Sequence, residues 1–266
     1  MVDGFLDGSA TATLGDDKAV QGTLLMGIAA VVLSLATVEF ARLAAAKGLV
    51  VLTGACVPAV ALLSTAWYWP QLLGVPLHLY LLAVLVSGLL IVVLEQYRRH
   101  GVEGILANGG VSCFAMIYLG LLGAFVMAIR IDVGLWHILM LMFVVKVSDI
   151  GAYTFGKLFG RHKFSPRVSP GKTWEGLAGA MVAAMAVSLA FATAFGIMVW
   201  WLALVFGGCF AVIGQMGDLV ESMMKRDAQQ KDSSNRVPGF GGILDVIDSP
   251  LVALPFGYLF FRLIAW

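Results

Sequence analysis

Eight apolar stretches, near residues 22–46, 49–70, 77–95, 104–129, 134–158, 174–195, 198–217 and 243–265, follow one another with only polar or Gly/Pro breaks between them. A helix that crosses a bilayer needs about 20 mainly apolar residues. The chain is therefore expected to be all-α, a polytopic integral membrane protein with about eight transmembrane helices. Its composition agrees, with 60% hydrophobic and only 12% charged residues in 266. The longest polar interruptions run to about 15 and 25 residues, too short for a separate soluble domain. Residues 22–266 are expected to form a single transmembrane catalytic domain behind a polar N-terminal tail, 1–21. That tail has neither the basic start nor the apolar run of a cleavable signal peptide.

The basic residues set a direction. Of 17 Lys and Arg, thirteen (42, 47, 98, 99, 157, 161, 163, 167, 172, 225, 226, 231 and 236) fall at alternate membrane ends. Only Lys18, Arg130 and Arg262 fall at the opposite ends, with Lys146 inside a span. The positive-inside rule then places segments 96–103, 159–173 and 218–242 in the cytoplasm and both termini outside. A net charge of +1 says little about partners, and no nucleic-acid partner is expected. Cys56, Cys113 and Cys209 lie far apart within predicted spans and read as buried small hydrophobes.

Chemically capable residues gather after Lys146. The stretch from Gly217 to Ser249 holds five Asp, one Glu, two Lys and two Arg in 33 residues. An ionised side chain at mid-membrane costs about 2.5–3.5 kcal/mol even on lenient insertion scales, so charge at this density points to a polar site at the membrane surface. Asp218, Glu221, Ser222 and Lys225 follow i, i+3, i+4, i+7 spacing, one stripe on a helix. Asp245 and Asp248 are three apart in the first turns of the last span, after the breaker PGFGG, where the helix dipole favours anions. Carboxylates on two helices suit Mg²⁺, a hard cation held by one or two carboxylates with substrate phosphates and water. Lys225, Arg226, Lys231 and Arg236 here, with Arg161, Lys163, Arg167 and Lys172 in the other large loop, supply the cations that phosphoryl or nucleotidyl transfer requires. Positive-inside topology also enriches such residues. Lys172 stands apart because SPGKTWEG is a turn leading into a helix start, where backbone amides and the hydroxyls of Ser169 and Thr173 can bind phosphate. Lys146 and Asp149, three apart within a span, are either an internal ion pair or part of the site; Glu39 and Arg42 read as a structural pair.

Three segments in order, SDIGAYTFGKLFG, SPGKTWEG and GDLVESMMKRDAQQKDSSNRVPGFGGILDVIDS, closely resemble the phosphatidate cytidylyltransferases, or CDP-diacylglycerol synthases, over about residues 146–250. The resemblance implies a reaction of CTP with phosphatidic acid giving CDP-diacylglycerol and pyrophosphate, with magnesium required. It carries the family's metal ligands onto Asp218 and Asp245, and the second acid of the LDxxD element onto Asp248, which supports the same metal or a second cation. It also implies a homodimer and a place in the bacterial cytoplasmic (inner) membrane. VEFARLAAAKG is similar to a family stretch that usually follows a further span, so a chain shortened at its N-terminus is expected. Two positions depart from the pattern: Phe240 stands where the family has His, and Val246 where it has Arg.

The expected enzyme thus uses Asp218, Asp245, Asp248, Lys225 and Arg226 in catalysis, with the three Asp on metal. Ser169, Lys172, Thr173, Lys231, Asp232 and Asp149 contact substrate, and the active site faces the cytoplasm. Two rivals remain. A CTP-dependent polyprenol or phytol kinase would need a base for its hydroxyl acceptor, and an ion-coupled transporter would use Lys146, Asp149, Asp245 and Asp248 as its path.

Overall fold

A computed structural model describes residues 22–230 and 241–264. The tail read over 1–21 lies outside them, as do Lys231, Asp232 and Phe240. The described residues form helices α1 (Thr23–Ala46), α2 (Thr53–Ser64), α3 (Trp69–Leu73), α4 (Leu77–His100), α5 (Ile105–Asp132), α6 (Leu135–Phe159), α7 (Trp174–Phe195), α8 (Trp200–Asp227) and α9 (Ile243–Ile264). The protein is all-α and polytopic: seven of these helices, all but α2 and α3, are long and apolar enough to cross a membrane. Many large apolar side chains point outward, among them Leu82, Leu90, Ile91 and Leu94 of α4. In water such a surface would aggregate; in lipid it is the solvated face.

The described residues separate into two compact units, one of residues 22–132 with 228–230 and 241–244, the other of 133–227 with 245–264. In the first unit the second expected span is broken. Its helix α2 has only 12 residues, followed by a turn and the five-residue α3. At the end of α2, Ser64 Oγ and Thr65 Oγ1 donate to the Ala61 carbonyl at 3.1 and 2.7 Å, and the Ala66 and Tyr68 amides close tighter turns onto the Leu63 and Thr65 carbonyls at 3.0 and 2.9 Å.

Although short, this segment still runs the length of the unit. Before α2, the Val50 and Leu52 amides donate to Asn108 Oδ1 and Ser112 Oγ near the start of α5, both at 3.0 Å. After it, Trp67 Nε1 donates to Asp132 at the far end of α5 (3.1 Å), and the Tyr68 hydroxyl lies 3.3 Å from Thr23 Oγ1 at the start of α1. In place of the eighth expected span stand a short helix, a turn and a second short helix. Within α5, Met116–Leu121 is a π-helical turn. Also in this unit, the fully buried Glu39 of α1 accepts the Leu244 amide at 3.0 Å, one of the orphan donors in the first turn of α9.

The second unit packs α6 on α7 and α7 on α8 through small residues. A side-chain carbon on Gly151 would meet Ala183 Cβ at 2.8 Å and the Gly179 carbonyl at 2.9 Å, so only glycine permits this approach. Ser188 Oγ donates to the Ala203 carbonyl at 2.5 Å, tying α7 to α8. Toward the far end, Phe206 stacks on Phe210 (4.2 Å between centroids) and on Phe261 of α9 (5.1 Å). This apolar layer anchors α8 and α9 side by side. Their opposite ends carry the acids.

Candidate active site

Helix α8 continues through Asp227, ten residues past the expected end of its apolar run. Asp218 and Glu221 therefore lie on one helical face, as their spacing predicts. Gly217 brings α9 close: a side-chain carbon there would fall 2.8 Å from the Asp248 carbonyl and 2.9 Å from Ser249 Cα. The outcome is a cluster in which one carboxylate oxygen each from Asp218, Glu221 and Asp248 lie within 4.8 Å of one another. Glu221 and Asp248 are only 1% and 4% exposed. Glu221 Oε1 is buried and accepts no hydrogen bond among the described residues.

Two lysines border the cluster. Lys172 Nζ lies 2.8 Å from Asp218 Oδ2 and donates to the Gln215 carbonyl at 3.0 Å. Lys225 Nζ bridges Glu221 Oε2 and Asp245 Oδ1, each at 2.8 Å. Ser222 Oγ donates to Asp218 Oδ1 at 3.1 Å, fixing that carboxylate's rotation. Further along, Gln215 Nε2 donates to Asp149 Oδ1 at 3.1 Å, and Lys146 Nζ sits 3.7 Å from Asp149 Oδ2. Lys146 and Asp149 are thus both an ion pair and part of the polar network. The five carboxylates of this network face three ammonium groups, an excess of negative charge that a divalent cation would offset.

Beside Asp218 opens a cavity of about 210 Å³, lined among others by Asp149, Ser169, Lys172, Thr173 and Gln215. Thr173 Oγ1 caps α7 by accepting the Gly176 amide at 3.1 Å. The Ser169 amide and carbonyl are both used within the loop, bonded to Ser165 O at 2.9 Å and Lys172 N at 3.1 Å.

The structure therefore gathers Asp149, Ser169, Lys172, Thr173, Asp218, Lys225, Asp245 and Asp248 into one network and its adjoining cavity. Asp245 bonds Lys225, and Glu221 takes the third place in the acid cluster. Arg226 Nε donates to the Val168 carbonyl at 3.2 Å, so this side chain holds the loop. Sequence reasoning passed over Gln215 altogether. The signal was there: Gln215 stands three residues before Asp218 and so extends the same helical stripe.

An all-α chain of long apolar helices thus carries clustered acids, paired lysines and a polar cavity. A model of the cytidylyltransferase family matches residues 18–264. The chain belongs to the cytidylyltransferase family. Among curated relatives it is 42% identical over 143 residues to the phosphatidate cytidylyltransferase of Staphylococcus haemolyticus (strain JCSC1435), 53% of this chain and 54% of that protein. To that of Bacillus subtilis (strain 168) it is 40% identical over 157 residues, 58% of each chain. To that of Chlamydia trachomatis serovar D it is 37% identical over 174 residues, 60% of this chain and 57% of the relative. The matched stretches thus span a little over half the length of these proteins.

Proposed function

We propose that the protein transfers a cytidylyl group from CTP to phosphatidic acid, giving CDP-diacylglycerol and pyrophosphate. The observation that carries this reading is the acid cluster Asp218, Glu221 and Asp248 flanked by Lys172 and Lys225, in a member of the cytidylyltransferase family. A phosphatidate oxygen attacks the α-phosphorus of CTP, a new P–O bond forms, and the bond to the β-phosphate breaks with pyrophosphate leaving. The nucleophile is already an anion, so the site needs no strong general base. Positioning and charge neutralisation are the tasks left to the protein.

The donor set fits Mg²⁺: three hard carboxylate oxygens converge, and the buried Glu221 Oε1 lacks a hydrogen-bond donor among the described residues. Bound there, the ion would neutralise developing phosphate charge. Asp218, Glu221 and Asp248 would hold it. Lys172 faces the cavity and is placed to meet the triphosphate, while Lys225 holds Glu221 and Asp245 in register. Asp149 and Gln215 supply polar lining, and Ser169 and Thr173 border the phosphate path; Lys231 and Asp232 remain proposed substrate contacts. The active site faces the cytoplasm, where CTP is made, and the protein resides as a homodimer in a bacterial inner membrane.

Membranes containing the protein, given CTP labelled at the α-phosphate, magnesium and phosphatidate, should form a chloroform-soluble labelled product and release pyrophosphate. Chelation of magnesium should abolish it. Lipid labelled only from γ-labelled CTP, with a polyprenol in place of phosphatidate, would transfer the assignment to a lipid kinase, and no labelled lipid from either nucleotide would sink the transferase reading.

A further inference from the structure

We propose that Glu175 is a positioning residue that staples the 160–173 loop and thereby aims Lys172 at the nucleotide; the proposal rests on the cytidylyl-transfer reading above. Glu175 lies in the first turn of α7, yet its carboxylate points back to the loop's beginning. Oε2 accepts the backbone amides of Arg161 and His162 at 3.1 and 3.2 Å. Oε1 lies 3.3 Å from the His162 amide and 2.6 Å from His162 Nδ1. These contacts close the mouth of a small antiparallel excursion. Within it Trp174 N donates to His162 O at 2.9 Å, Phe164 N donates to Lys172 O at 3.2 Å, and Lys163 pairs with Thr173. Lys172 rides on the returning arm, one bridge from the staple.

The argument from position is short. Lys172 has a long, flexible side chain, but it is only 10% exposed and its ammonium meets Asp218 and the Gln215 carbonyl. That placement depends on the register of the arm carrying it. At the open end the register is held by Glu175 and the Trp174–His162 backbone bond it flanks, while the tip bond from Arg226 to Val168 and the turn bonds of Ser169 lie beyond Lys163. The two backbone amides that Glu175 satisfies are near water, so removing the carboxylate lets water replace it. The helices are retained, and the arm loses its fixed register.

The test is a double-mutant cycle on full-length protein in detergent or membranes, reading both kcat/KM for CTP and CTP binding in the presence of Mg²⁺. With one or two hydrogen bonds to a charged acceptor lost, Glu175→Ala should cost about tenfold in the parent. In a Lys172→Ala background it should cost less than about twofold, since coupled residues are non-additive. Glu175→Gln, which keeps an accepting oxygen, should recover to within about threefold of the parent. Amide hydrogen exchange at Arg161 and His162 should quicken about tenfold or more in Glu175→Ala. Equal costs in the two backgrounds would show Glu175 acting independently of Lys172 and would overturn the proposal, as would unchanged amide protection. Failure of the unaltered protein to turn over or bind CTP would overturn the reaction assignment and this proposal together.

Discussion

Lys225 stands between two carboxylates, Glu221 and Asp245, at 2.8 Å from each, with its side chain 14% exposed. Replacing it by Met leaves two mostly buried acids without their shared cation. Breaking a buried pair in this way costs about 3–5 kcal/mol, so Lys225→Met should markedly lower the unfolding midpoint in detergent micelles. Asp245→Asn asks a different question, because the amide oxygen still accepts from Lys225 while one negative charge disappears. Cytidylyl transfer should be abolished with membrane insertion intact; activity within a few-fold of the parent at saturating magnesium would remove Asp245 from the chemistry. At this scale the sequence was informative wherever neighbours share a helix. Asp218, Glu221 and Lys225 show their common face by spacing alone. The bond from Lys225 to Asp245, twenty residues on, and that from Lys172 to Asp218 join separate elements, and no local period reports such a meeting.

Between α8 and α9 the contact depends on the missing side chain of Gly217. A valine there would bring carbon to within 2.8 Å of the Asp248 carbonyl, and that neighbour is backbone, which cannot rotate aside. Gly217→Val should part the two helices, separate Asp218 from Asp248, and lower kcat/KM by at least about tenfold while α8 remains helical, a combination measured by assay and circular dichroism. Glu39 makes a second element-scale case. Its buried oxygen satisfies the Leu244 amide, so Glu39→Leu should cost about 1–3 kcal/mol in stability, read in the same detergent melts. The sequence pointed to the helices through their apolar length. It did not show the break after Ser64, because residues 49–70 stay apolar throughout. Glu39 looked like a partner for Arg42, three residues along, since its bond to Leu244 spans 205 positions.

Over the whole molecule, the distribution of Lys and Arg is the ground for the proposed orientation, with the basic helix ends in the cytoplasm. A cysteine at Ser165, in a background lacking Cys56, Cys113 and Cys209, should be shielded from an impermeant thiol reagent added outside intact cells; labelling there would reverse the orientation and remove the site from its CTP supply. The order of synthesis adds a further consequence of the Lys225 bridge. A growing chain leaves the ribosome at about 5–20 residues per second, so α8 enters the membrane before α9 has been made. During that interval Glu221 has neither Asp245 nor Asp248 beside it, only Lys225 one turn along its own helix, 2.8 Å away. The lysine is therefore a built-in escort, neutralising an acid that the nascent helix carries toward hydrocarbon, and it acquires its second partner when the next helix arrives.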